Sequence, residues 1–143
     1  MSNISQKIFV VDDDLFHLEI MQQILIDKGA ENIQCFQSGV ECLNQIHNNP
    51  DVVYLDHQMD EYTGFETLRK IKRYNPNIFV VMVSAQEEIQ TAVETLKHGA
   101  FDYIKKDEKL EENVKSVLVR IDEVKELLRQ RKPSLLKSMF KFL

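Results

Sequence analysis

Five short apolar runs, each followed by a stretch with helical apolar spacing, constrain this chain more than any other feature of its sequence. KIFVV (7–11) reads as a buried strand, and LFHLEIMQQILIDKG (15–29) then places Leu15, Leu18, Ile20, Ile24 and Leu25 at helical intervals before Gly29. NIQCF (32–36) is the second strand, after which Ser38 opens a helix through residue 47 with Glu41 in the capping-box position. VVYL (52–55) is the third strand, and Thr63 with Glu66 repeats the capping box ahead of FETLRKIKRY (65–74). NPN (75–77) marks a turn into IFVVMV (78–83), whose unbroken apolar character suits a parallel strand covered on both faces. EEIQTAVETLKHG (87–99), a short strand DYI (102–104) and a long helix over 108–131 complete the series. Strand and helix alternating in this way predict an α/β domain with a parallel sheet and right-handed crossovers.

At 143 residues the chain is long enough for one such domain with a real core. Its net charge of -5 argues against a domain-wide nucleic-acid surface. FVVMV (79–83) is far too short for a membrane span, and MSNISQK lacks the apolar segment of a signal peptide, so a cytoplasmic protein without a membrane span is expected. Cys35 and Cys42 suit neither a zinc knuckle nor a redox pair and are read as buried small apolar residues.

The polar residues just past the strand C-termini are Asp12, Asp13 and Asp14, then Asp56, then Ser84, then Lys105 and Lys106. In open α/β sheets that edge is where ligands bind, next to the point where strand order reverses. Taken singly, Asp14 and Asp60 read as turn formers or N-caps, Ser84 as a cap and Lys106 as a solvated charge. Taken together, if strands 1 and 3 are neighbours, roughly 5 Å apart, the three carboxylates converge. Such a cluster must hold a proton or bind a hard cation, and Mg2+ is the natural candidate because it takes oxygen ligands from one or two carboxylates plus a phosphate.

These motifs resemble the receiver domain of bacterial two-component response regulators, over residues 5 to about 124. VVDDD (10–14) is similar to the family's acidic pair, at Asp12 and Asp13; YLDHQM (54–59) is similar to its phosphoacceptor segment, at Asp56, with Gly64 eight residues on. VSA (83–85) places the family's hydroxyl at Ser84, and GAFDYIKKD (99–107) places its switch aromatic at Tyr103 and its lysine at Lys106. The resemblance implies a three-layer, doubly wound, flavodoxin-like fold of five parallel strands in the order 2-1-3-4-5. It also implies phosphorylation of Asp56 by a histidine kinase or phosphotransfer protein. Mg2+ would be held by Asp12, Asp13, Asp56 and the Gln58 backbone carbonyl, with Lys106 and Ser84 on the phosphoryl group. Ser84 and Tyr103 would then remodel the helix 4, strand 5 and helix 5 face. The side chains of Gln58 and Gln86 would be free to influence hydrolysis of the phosphoryl group.

The chain departs from that pattern in three places. Asp60 and Asp107 stand where the family usually has prolines; a non-proline cis bond costs about 2.5 to 4 kcal/mol, so the 106–107 peptide is expected to be trans, with Lys105 as a nearby substitute for Lys106. Leu110, Val114, Val117, Ile121, Val124 and Leu128 form a heptad-like seam whose first half packs on the sheet; from Val124 on it has no obvious sheet left to cover, and a homodimer or partner contact is weighed evenly against none. KPSLLKSMFKFL (132–143) begins with a helix-stopping proline and reads as a disordered or self-docking amphipathic tail, ahead of a segment that docks on a partner or a membrane surface. The expected organisation is a receiver domain over 1–124 and an extension of the last helix plus tail over 125–143.

The function expected is that of a stand-alone phosphoacceptor switch rather than an enzyme, signalling to a downstream protein by contact. The rival reading is a phosphorylation-independent scaffold working through the long helix and tail. A metal-dependent phosphate-ester hydrolase ranks third, since no second base or histidine cluster is visible.

Overall fold

A computed structural model describes residues 4–59, 62–85 and 88–130 of the protein. The chain runs β1 (Ile4–Val11), α1 (Leu15–Asp27), β2 (Ala30–Phe36), α2 (Gly39–Asn44), a 3-10 turn (Ile46–Asn48), β3 (Val52–Asp56), α3 (Gly64–Tyr74), β4 (Phe79–Ser84), α4 (Ile89–Lys97), β5 (Asp102–Lys105) and α5 (Leu110–Gln130). All pairings are parallel and the strand order is β2-β1-β3-β4-β5, as the sequence resemblance implied.

Period-2 alternation along the strands sorts their side chains onto two covered faces. Ile8, Val10, Val52, Tyr54, Val81 and Val83 point to one core, closed by Leu18, Met21 and Leu25 of α1 and Val114, Val117 and Ile121 of α5. Phe9, Val11, Val53, Leu55, Val80 and Met82 point to the other, closed by Leu68 and Ile71 of α3 and by Cys42 and Ile46. With both faces covered, β3 is buried at every position, which is why it reads as a continuous apolar run. Strand order reverses at β1, whose neighbours are β2 and β3, so the crevice beyond the C-terminal ends of β1 and β3 is the topological switch point.

The caps follow the sequence signals. The Asp14 carboxylate accepts from the Phe16 amide to start α1, Ser38 Oγ accepts from the Glu41 amide, and Thr63 Oγ1 accepts from the Glu66 amide. Gly29 and Gly99 take positive φ of 98° and 103° just past α1 and α4, closing those helices. Helix α2 stops at Asn44 rather than residue 47, because the chain tightens into the 3-10 turn and then takes a left-handed conformation at Asn49 (φ 54°). Cys35 also departs from expectation: Cys42 is buried, but Cys35 is exposed, since β2 is an edge strand with burial concentrated at its two ends.

Gly64 opens α3 directly against the end of β3, its amide donating to the His57 carbonyl at 3.0 Å. A Cβ there would lie 2.3 Å from the Asp56 carbonyl oxygen, 2.7 Å from His57 Cα and 2.9 Å from Met82 Cε. Two of these atoms are backbone, which cannot swing aside. Gly64→Ala is expected to destabilise the fold by about 1–3 kcal/mol, read as a lower urea midpoint with an unchanged slope.

Along the α5 seam, Leu110, Val114, Val117 and Ile121 are buried. Beyond them the helix still has protein to cover. Val124 and Leu128 border a groove of about 890 Å³ at the N-terminal edge of the sheet, facing Phe79 and Phe101, and Lys125 pairs with Asp51 before β3. Leu127 and Leu128 nonetheless stay about half exposed. The amphipathic segment 132–143 lies outside the described residues. Among the described residues, no helix is long and apolar enough to cross a membrane.

Candidate functional site

Three neighbouring strands deliver the site. The C-terminal end of β1 carries Asp12, whose amide is tied to the Phe36 carbonyl at 3.0 Å; β3 ends at Asp56, in register with Val83; β4 ends at Ser84, in register with Lys105. The Lys106 amide donates to the Ser84 carbonyl at 2.8 Å, holding the segment after β5 against the end of β4. The described peptide bonds are all trans, including that between Lys106 and Asp107, as expected from the absence of proline. In proline's place, Asp107 accepts from the Lys109 amide through its carboxylate and from the Leu110 amide through its carbonyl, forming the lead-in to α5.

Lys106 lies at the centre of the charge arrangement. Its ammonium sits 2.8 Å from Asp12 Oδ2 and 3.0 Å from Asp56 Oδ1, with all three side chains nearly buried (9%, 5% and 5% exposed). Asp12 also accepts from the Asp14 amide at 2.9 Å, which fixes its carboxylate between α1 and the lysine. Asp13, by contrast, is exposed, yet oxygens of Asp12, Asp13 and Asp56 all lie within 4.8 Å of one another. Lys105, on β5, is in register with Ser84 of β4, while Lys106 makes both carboxylate contacts.

Burial, then the Asp12 charge, push the Asp56 carboxyl up from its ordinary 3.8 to about 6; Lys106 opposes the shift by hydrogen bond and charge, and Asp13 adds to it. For Lys106, burial favours the neutral amine, but its hydrogen bonds and charge interactions with Asp12 and Asp56 outweigh burial and raise its pKa. With all groups ionised, one ammonium faces three carboxylates. That excess negative charge and a hard oxygen donor set fit a divalent cation such as Mg2+.

The Asp56 shift sets a pH dependence of stability. Between 3.8 and about 6 the folded chain binds more protons at Asp56 than the unfolded one, so the cost of the ionised carboxylate grows as pH rises through that window and is fully present above it. Burial also lowers the His57 pKa, with Glu88 opposing, and this contributes with opposite sign near neutral pH. The Asp56 contribution is therefore read as a difference. In a cation-chelating buffer, the stability advantage of Asp56→Asn over the wild type should grow from pH 4 to pH 7 in urea melts.

Gln58 is exposed two residues past Asp56, and Tyr103 is half-buried on β5. Both border a small cavity with Ser84. The sequence positions Asp60 and Gln86 lie outside the described residues. One residue at the site was not singled out from the sequence: His57, whose ring lies 6.3 Å from that of Tyr103. Its sequence signal is adjacency to Asp56, but nothing in the one-dimensional pattern tells which way a side chain points once the strand has ended.

Residues 8–118 match the response regulator receiver domain family. The chain belongs to that family. The receiver is 39% identical over 105 residues to the transcriptional regulatory protein ZraR of Klebsiella oxytoca, covering 73% of this chain but 24% of that protein. It is 33% identical over 101 residues to the chemotaxis protein CheY of Listeria monocytogenes, covering 70% of this chain and 85% of that one. Among solved structures, a response regulator receiver domain protein from Clostridium thermocellum superposes with a TM-score of 0.79 at 27% identity, covering 86% of this chain and 98% of that one. The receiver thus spans about a quarter of the ZraR sequence it matches and most of the CheY sequence. Receivers of bacterial two-component systems are signalling switches rather than classical enzymes, and they bind Mg2+ at an acidic pocket like the one formed here by Asp12, Asp13 and Asp56.

Proposed function

We propose that this receiver accepts a phosphoryl group on Asp56 from a histidine kinase or phosphotransfer protein, in a Mg2+-dependent reaction, and signals through the face formed by α4, β5 and α5. The single observation that carries this reading is the nearly buried Lys106 ammonium bridging Asp12 and Asp56 at 2.8 and 3.0 Å, a fixed positive charge where a phosphoryl group on Asp56 would develop negative charge.

In the proposed reaction an Asp56 carboxylate oxygen attacks phosphorus, the bond from phosphorus to the donor atom breaks with its electron pair leaving on the donor, and an acyl phosphate results. Lys106 trades its contact with Asp56 for one with the transferred group, remaining anchored by Asp12. Ser84, buried at the end of β4, donates its hydroxyl to a phosphoryl oxygen. Asp12, Asp13, Asp56 and the Gln58 carbonyl would hold Mg2+, which when bound neutralises charge on the phosphoryl oxygens. Asp12 is held by Lys106 and by the Asp14 amide, which fixes its carboxylate beside Asp56.

The added charge is local and needs a two-state element to read it out; Ser84 and Tyr103, which border one cavity, take that role. Output by protein contact is supported by α4, where Ile89, Val93 and Leu96 form an exposed apolar stripe at 79%, 42% and 45% exposure. We assign residues 1–124 to the receiver domain and residues 125–143 to an extension of the last helix plus a tail. The half-exposed Leu127 and Leu128 there favour, as a second reading, a homodimer or partner contact at the end of α5.

The test is metal dependence of uptake. With acetyl phosphate and Mg2+ the receiver should take up one acid-labile phosphoryl group per chain, and chelation with EDTA should lower the initial rate by about 10²-fold or more. Equal uptake with and without EDTA would contradict the assignment of Asp12 and Asp13.

A further inference from the structure

His57 is covalently next to Asp56, and its backbone is pinned on both sides: its amide donates to the Val83 carbonyl at 2.9 Å, and its carbonyl accepts from the Gly64 amide at 3.0 Å. These bonds fix the His57 backbone against the end of β4 and the start of α3. Its imidazole forms part of the wall of two adjoining cavities. The smaller, about 50 Å³, is lined by His57, Gln58, Ser84, Glu88, Thr91 and Tyr103; the larger, about 450 Å³, opens between α3 and α4 and shares His57, Glu88 and Thr91. The ring is tilted 60° to that of Tyr103, with centroids 6.3 Å apart.

His57 Nδ1 is shielded from solvent and has no hydrogen-bond partner among the described residues. A buried polar atom left in that state disfavours the arrangement that leaves it so, and favours any arrangement that supplies a partner. A hydroxyl satisfies it in either tautomer, because it donates to a bare nitrogen and accepts from an N–H. Tyr103 carries a hydroxyl and borders the same small cavity, which is large enough to admit a polar group.

We propose that His57 is a positioning residue for the switch: a second link from Asp56 to Tyr103, parallel to Ser84, in which the unpartnered Nδ1 gains the Tyr103 hydroxyl when that side chain moves into the cavity. This inference rests on the phosphoacceptor reading of Asp56 and adds to it a route that bypasses Ser84. Spatial adjacency alone does not establish coupling, so the experiment is a double-mutant cycle on the two routes.

The protein is labelled with 3-fluorotyrosine, the Tyr103 fluorine resonance is assigned with Tyr103→Phe, and saturating beryllofluoride with Mg2+ serves as the phosphoryl mimic. Fluorine resonances of bound beryllofluoride report site occupancy separately. The wild type should show a shifted Tyr103 resonance. His57→Phe, which keeps a ring but loses the nitrogen, should lower the ratio of shifted to unshifted Tyr103 about tenfold, the effect of one lost buried hydrogen bond, with bound beryllofluoride unchanged. His57→Asn should restore most of the shift, and His57→Leu replaces His57→Phe if the latter does not fold. Ser84→Ala should retain part of the shift, and combining it with His57→Phe should remove the rest. A full Tyr103 shift in His57→Phe, a shift abolished by Ser84→Ala alone, or bound beryllofluoride with an unshifted wild-type Tyr103 would each overturn the second link. Failure of the wild type to bind beryllofluoride would instead overturn the phosphoacceptor reading, and this inference with it.

Discussion

Asp56→Asn should reduce uptake of an acid-labile phosphoryl group from acetyl phosphate by more than about 10³-fold, the scale on which removing a nucleophile acts. The side chain keeps its shape, so the loss is chemical: the attacking carboxylate oxygen is gone while Lys106, Ser84 and Asp12 remain. Stability at pH 7 should move the other way. Asp56 is nearly buried beside Asp12, its pKa is raised to about 6 by burial first and by that neighbour second, and a neutral amide removes both penalties. Lower uptake with a higher melting temperature is thus the expected pair of results. Lower uptake with a collapsed melting temperature would mean that the variant had lost its fold rather than its nucleophile.

Lys106→Met should cost about 10²- to 10³-fold in the rate of uptake, as expected for removing a preorganised positive group from a water-poor site. Methionine retains most of the apolar stem, so the charge is what is removed. Asp12 and Asp56 then face each other without their shared cation, and the Asp56 pKa should rise further above 6, since the hydrogen bond and charge of Lys106 are what now oppose the shift. Breaking a buried pair by removing one partner costs on the order of 3–5 kcal/mol, less whatever is recovered when Asp56 takes a proton. Mg2+ should therefore raise the melting temperature of Lys106→Met more than that of the wild type at pH 7.5. A thermal-shift titration reads this directly, and an equal response in the two proteins would contradict the bridging role of Lys106.

Much of this was legible in the sequence because it depends on periodicity and local chemistry. The parallel α/β class follows from strands buried on both faces, such as IFVVMV, alternating with capped helices, and Ser38 and Thr63 cap the helices that their spacing indicated. Asp12, Asp13, Asp56, Ser84 and Lys106 stood out together in the sequence because each falls at or just past the C-terminal end of a strand. What escaped was set by tertiary position. Alternation does not say which strand lies at an edge, so Cys35, in the edge strand β2, was expected to be buried and is exposed. The seam at Val124 and Leu128 gave no hint that it borders a groove with Phe79 and Phe101, because those residues are remote in sequence. The lysine assignment carried an expectation of one phosphoryl contact, whereas in the fold Lys106 is anchored first by Asp12, a partner 94 positions away. His57 escaped altogether, since its interest lies in an unpartnered nitrogen.

The central claim is that Asp56 is the phosphoacceptor, and its most direct test is to locate the modification. The protein is treated with acetyl phosphate and Mg2+, any acyl phosphate is reduced with borohydride, and the modified residue is identified by peptide mass spectrometry. One modified position is expected, Asp56, converted to homoserine in a yield that falls with EDTA. Reduction at Asp12 or Asp13, label on a histidine, or an unmodified chain under the same conditions would contradict it.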